Sequence, residues 1–90
     1  MSLDDYRVIE QLGKGGFGIT YLVEAKSLPG KPKRVLKHLQ PDSPPSPQQW
    51  LTLQRLFEKE AKMLAILGSH PQIPTLYDYL KEFGKFFLVQ

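Results

Sequence analysis

Four glycines fall within the six residues Gly13-Lys14-Gly15-Gly16-Phe17-Gly18, and strand-forming stretches lie on both sides. Before them, Tyr6, Val8 and Leu12 share one parity and Arg7 and Gln11 take the other; Ile9 and Glu10 break the alternation. After them, Ile19, Thr20, Tyr21, Leu22 and Val23 are β-branched, aromatic or aliphatic. Alternation and β-propensity both select strands, and the glycines between them select a turn. The first third of the chain is therefore predicted to be an antiparallel hairpin.

The remaining elements follow from turn and cap chemistry. Ser27-Leu28-Pro29-Gly30-Lys31-Pro32 is a turn, and Arg34 to Leu39 begins in polar–apolar alternation and is short, as a third strand would be. Pro41 to Pro47 is a proline- and serine-rich linker that ends in a helix start. Ser46 is the expected N-cap, Pro47 the first helical residue, and Gln49 stands three after the cap. Trp50, Leu53, Phe57, Ala61 and Leu64 then recur at helical spacing, with Gly68 as the stop. A helix over 47–67, in one piece or two, is expected. His70 to Pro74 suits neither a regular helix nor a central strand. Leu76 to Leu80 and Lys85 to Gln90 read as two further strands joined at Phe83-Gly84. The fold class is α+β in the order β-β-β-α-β-β, a single domain over residues 1–90.

Composition narrows the function classes. Ninety residues allow one thin core. The absence of cysteine excludes disulfides and thiolate metal sites. No apolar run approaches the length of a membrane span, and the polar start at Met1 to Tyr6 lacks the features of a signal peptide. The expectation is a cytoplasmic chain with no membrane partner. Lys31, Lys33, Arg34 and Lys37, with His38 beside them, form the one basic cluster of a chain of net charge +3. Without interleaved aromatics they read as a solvated loop and strand, so no nucleic-acid partner is expected.

The glycine segment fits G-x-G-x-x-G. A dinucleotide fingerprint opens a helix after its glycines; here a strand follows, so the glycines cap a hairpin. Glycine suits phosphate binding because backbone N–H groups must approach phosphate oxygens, and a Cβ would block them or forbid positive φ. Phe17 at the tip could shield phosphates from water.

Lys37 follows Gly18 by 19 residues and shares a strand face with Val35; Glu60 follows Lys37 by 23. On the helix Glu60 falls on the apolar stripe, three after Phe57 and four before Leu64. A carboxylate there calls for a partner, and Lys37 is the candidate. If the pair is substantially buried, removing one partner should cost about 3–5 kcal/mol. Glu58 and Lys59 are expected on the solvated margin.

Together these pieces resemble the protein-kinase pattern, closest in phrasing to the eukaryotic-like serine/threonine kinases of bacteria. Gly13 to Gly18 resembles the kinase glycine-rich loop, Arg34-Val35-Leu36-Lys37 the V-A-I-K strand, and Glu60 the C-helix glutamate. His70 to Leu76 resembles H-P-N-I-V-x-L, and Phe87-Leu88-Val89-Gln90 the fifth strand, with Gln90 at the gatekeeper position. The resemblance implies a kinase amino-terminal lobe: a five-stranded antiparallel sheet with one long helix. It implies that Lys37 contacts the α- and β-phosphates of ATP while Glu60 orients it. Leu12, Gly13, Lys14, Gly15, Gly16, Phe17, Gly18, Thr20, Val35 and Lys37 would hold the nucleotide. Leu64 and Leu76 would belong to the hydrophobic spine between lobes. Thr20 and Val35 stand where valine and alanine are usual, which makes the adenine wall more polar and bulkier.

No H-R-D or D-F-G occurs in these residues. The implied Mg2+ would be held by residues outside the chain, which itself supplies no metal ligand. A protein substrate would be engaged through a carboxy-terminal lobe that is likewise outside it. The chain alone is expected to bind ATP weakly and to transfer no phosphate. The competing expectation is a noncatalytic interaction module that self-associates through the exposed lobe face; a dinucleotide-binding protein would need a helix after Gly18.

Overall fold

The computed structural model describes every residue except Met1, Phe17, Asp42 and Ser69. Its elements are β1 (Tyr6–Lys14), β2 (Gly18–Ala25), β3 (Lys33–Leu39), α1 (Pro47–Ile66), β4 (Asp78–Glu82) and β5 (Lys85–Val89), preceded by a single 3-10 turn at Leu3–Asp5. The five strands form one antiparallel sheet in the order β1-β2-β3-β5-β4. The expected order of elements is the observed one. The 3-10 turn was not expected; its signal is the S-x-x-D spacing of Ser2 and Asp5, and the Ser2 amide donates to Asp5 Oδ2 at 2.8 Å.

The broken alternation in β1 has a structural cause. Val8 pairs with Val23 and Glu10 with Leu22, so Ile9 is an extra residue; Gln11 pairs with Tyr21 and Gly13 with Thr20, so Leu12 is another. Each bulge turns the strand by one residue relative to its neighbour. Tyr6 and Val8 lie before the first bulge and share the face of Ala25 and Val23, though only Tyr6 is buried there; Leu12 sits exposed at the second bulge. β1 also runs on through Gly13 and Lys14, and β4 begins at Asp78, two residues later than Leu76.

One face of the sheet holds the main core: Tyr6, Val23, Ala25, Leu36, Leu80, Phe87 and Val89, with Leu3 and Tyr21 packed against them. The sheet curls around this core until its two edges meet. Tyr6 Oη donates to Asp78 Oδ2 at 3.3 Å, and the Leu3 amide donates to Glu82 Oε2 at 2.8 Å. Each fully buried aliphatic side chain contributes about 1.5–3 kcal/mol, and Val23, Leu88 and Val89 reach that limit.

Helix α1 lies on the other face. Its start follows the expected capping box: Ser46 Oγ accepts from the Gln49 amide at 3.2 Å, and the Ser46 amide donates to Gln49 Oε1 at 2.9 Å. The helix is continuous to Ile66, with Leu67 as its C-cap and Gly68 directly after it, where the expected stop falls. Its seat is aromatic. Trp50 meets Phe86 edge-on at 5.9 Å, and Phe57 tilts against Tyr79 at 6.1 Å. Ala61 is the single buried residue of the helix.

Candidate functional site beneath the glycine turn

The site is built on one row of residues crossing the sheet. Gly13 pairs with Thr20, Thr20 with Lys37, Lys37 with Leu88, and Leu88 with Tyr79. In a pleated sheet, laterally paired residues point to the same face, and this face carries α1. The next row sets Leu22 beside Val35, whose amide and carbonyl bond Gln90 at 2.7 and 2.8 Å. Thr20, Val35 and Lys37 thus share a face.

Above this row the β1–β2 turn is closed by the Gly15 amide, which donates to the Gly18 carbonyl at 2.9 Å. The glycines have different reasons to be glycine. A Cβ on Gly18 would stand 2.3 Å from the His38 carbonyl oxygen, so the fold itself forbids one. A Cβ on Gly13 or Gly15 would meet nothing within 4 Å. None of these three has positive φ; among the described residues the glycines that do are Gly30 and Gly84, in other turns. The positive φ expected of the loop is therefore not the reason for Gly13, Gly15 or Gly18. At Gly13 and Gly15 neither packing nor backbone conformation asks for glycine. Phe17 lies outside the described residues.

Beneath the turn lies a cleft of about 290 Å³, lined by Gly15, Gly16, Gly18, Thr20, Lys37 and Glu60 among others. Leu39 and Phe57 also line it; sequence reasoning gave Phe57 to the helix stripe and Leu39 to a strand end. The parity that Leu39 shares with Val35 and Lys37 was the available signal. Leu12, Gly13, Lys14 and Val35 do not line this cleft. Leu12 sits exposed on its bulge and Lys14 is exposed at the end of β1.

Lys37 Nζ lies 3.3 Å from Glu60 Oε1, so strand and helix bring the two side chains together. The pair is not substantially buried: 38% of the Lys37 side chain and 45% of the Glu60 side chain remain exposed. Its contribution to stability is that of a surface ion pair, about 0.2–1 kcal/mol, not the larger buried-pair value. An ammonium that stays accessible can serve a third group.

A second ion pair was not legible. Glu58 is not on a free margin: its Oε1 lies 2.9 Å from Lys81 Nζ on β4. Each partner shifts the other's titration. The Lys81 hydrogen bond holds the Glu58 carboxyl below its usual range, and the Glu58 bond raises the Lys81 ammonium. The basic cluster is divided by the strand. Arg34 stacks over the Tyr77 ring at 3.7 Å, His38 stacks on Phe87 at 4.5 Å, and Lys37 turns to Glu60.

The curled five-stranded antiparallel sheet with one helix has the fold of a protein-kinase amino-terminal lobe, and on it a glycine turn stands over a lysine that a helix glutamate meets. The solved structure of PpkA-294 in its apo form superposes with a TM-score of 0.80 at 21% identity, covering 99% of this chain and 36% of that one. Among curated proteins, serine/threonine-protein kinase C of Synechocystis sp. is 48% identical over 88 residues, and kinase D of the same organism 43% over 89. Serine/threonine-protein kinase PknA of Nostoc sp. is 44% identical over 86 residues. These matches cover 94%, 98% and 94% of this chain but only 16%, 18% and 15% of the respective kinases, so the chain spans less than a fifth of their length. No family model matches the chain. Over nearly its whole length the chain matches the amino-terminal portions of bacterial serine/threonine protein kinases at 42–48% identity.

Proposed function

We propose that the chain is the ATP-holding part of a serine/threonine protein kinase, an enzyme that moves the γ-phosphate of ATP to protein hydroxyls. The observation that carries this reading is the pairing of an accessible ammonium with an unneeded pair of glycines. Gly13 and Gly15 have open space where a Cβ would stand, and Lys37 lines the cleft beneath the turn. A triphosphate is the kind of ligand that uses both, because its oxygens accept from backbone amides and from an ammonium.

In this reading Lys37 donates to the α- and β-phosphates, and Glu60 keeps the ammonium aimed along the row that Thr20 shares. The turn amides donate from above. Leu12, Thr20 and Val35 meet the adenine. Leu64 and Leu76 join the spine between lobes. Mg2+ and the protein substrate are engaged by residues beyond these ninety, and the working compartment is the cytoplasm. The chain by itself binds ATP weakly and transfers no phosphate. Titration of the chain with a fluorescent ATP analogue tests the binding: saturable binding lost in Lys37→Met supports it, and binding unaffected by that change contradicts it. Phosphate transfer by these residues alone in a radiolabelled assay would contradict the inactivity.

A noncatalytic docking role is favoured by one observation. Leu56, Met63 and Ile66 on α1 are 58%, 49% and 76% exposed and lie within about 80° of one another around the helix, so they form one apolar flank. Sedimentation at rising concentration decides it: self-association supports this role, and a strict monomer opposes it.

A further inference from the structure

The helix that carries Glu60 is thinly attached. Its contacts with the sheet include two aromatic pairs and two ion pairs, and Ala61 is its one buried residue. The placement of those ion pairs around the helix is informative. Residues advance about 100° per position, so Glu58 and Glu60 lie roughly 80° to either side of the midline between Phe57 and Ala61. The apolar seam sits between them. Glu60 reaches β3 on one flank and Glu58 reaches β4 on the other.

Two tethers on opposite flanks resist rolling in opposite senses. With side-chain heads about 6 Å from the axis, a roll of roughly 20° moves each head by about 2 Å. Such a movement is enough to break either pair. Both tethers also resist an outward swing of the helix. Of the two, Lys81–Glu58 is the shorter, at 2.9 Å against 3.3 Å. It is also the better seated. Lys81 Nζ lies 5.5 Å from the Phe86 ring and 5.7 Å from the Tyr79 ring, the two rings on which Trp50 and Phe57 rest. One ammonium therefore contacts the aromatic seat and the helix carboxylate together.

We propose that Lys81 is a positioning residue: through Glu58 it sets the roll and distance of α1 at which Glu60 meets Lys37. Lys81 touches no nucleotide and acts only through the helix. Its consequence for ATP rests on the function proposed above; its consequence for the helix does not.

The chain has no cysteine, so two spin labels can be placed without removing any residue of this kind. The labels go at Arg55→Cys on the exposed side of α1 and Lys33→Cys on β3, and the distance between them is measured in the ninety-residue chain. Lys81→Met keeps the aliphatic stem and removes the charge. It is expected to shift or widen the distance distribution by about 2 Å, on the roll geometry. Lys81→Arg, and the reversed pair Glu58→Lys with Lys81→Glu, are expected to restore it. ATP-analogue affinity should fall about two- to five-fold in Lys81→Met, the scale of one surface ion pair, and recover in both restored variants. A distance distribution unchanged by Lys81→Met overturns the proposal, as does failure of both restored variants to recover it. If the distances respond as expected but the unaltered chain binds no ATP analogue, the positioning role stands and the nucleotide reading falls.

Discussion

Thr20 and Lys37 face each other across the β2–β3 ladder, directly beneath the glycine turn, and Lys37 reaches from that row to Glu60 at 3.3 Å. Strand register, not proximity in sequence, assembles the site. The helix carboxylate comes from 23 residues further on.

Because the Lys37–Glu60 pair stays partly in water, its removal should hardly affect folding. Lys37→Met and Glu60→Gln are each expected to change unfolding free energy by less than about 1 kcal/mol in urea denaturation. Losses of 3 kcal/mol or more would mean a pair far more buried than the one described.

The glycines should separate by role. Gly18→Ala forces a Cβ against the His38 carbonyl and is expected to cost about 1–3 kcal/mol, as overpacking does. Gly15→Ala points into open space and should leave stability within about 0.5 kcal/mol. Thermal melts of the two variants check the contrast, and equal melting temperatures would contradict it.

Most of the architecture was legible before any coordinates. Ser46, Pro47 and Gln49 mark the helix start by local hydrogen bonding alone, and the structure keeps each in its role. Glycine density with strand formers on both sides announced the hairpin. What was lost is what depends on partners distant in the chain. The β1 bulges at Ile9 and Leu12 showed only as a fault in alternation, because their cause is the register of β2. Glu58 looked solvated because its partner, Lys81, arrives from a strand whose position next to α1 no local pattern encodes. The exposure of Lys37 and Glu60 was equally out of reach, since burial is a property of the assembled lobe.

The join between the sheet edges predicts a pH effect. Burial, then the negative charge of Asp78 and the hydrogen bond to it, push the Tyr6 phenol from 10 up to about 12. The folded chain therefore keeps this proton where the unfolded chain loses it. The contribution is complete below pH 10 and is lost as pH rises to about 12. At about 1.4 kcal/mol per unit, two units amount to at most about 3 kcal/mol. Denaturant melts should show a steeper fall in stability over that range for the natural chain than for Tyr6→Phe. Parallel curves would contradict this.

Tyr79 predicts a gain. Its hydroxyl is buried with no hydrogen-bond partner among the described residues. An unpaired buried hydroxyl costs about 1–3 kcal/mol, so Tyr79→Phe should raise the melting temperature while the ring keeps its contact with Phe57. A clear loss of stability would show that the hydroxyl is satisfied.

The most direct measurement is ATP-analogue binding to the ninety-residue chain, run side by side with Lys37→Met and Gly15→Ala. The account predicts weak, saturable binding that Lys37→Met abolishes and Gly15→Ala weakens, with both variants folded. Binding of equal strength in all three proteins would contradict it.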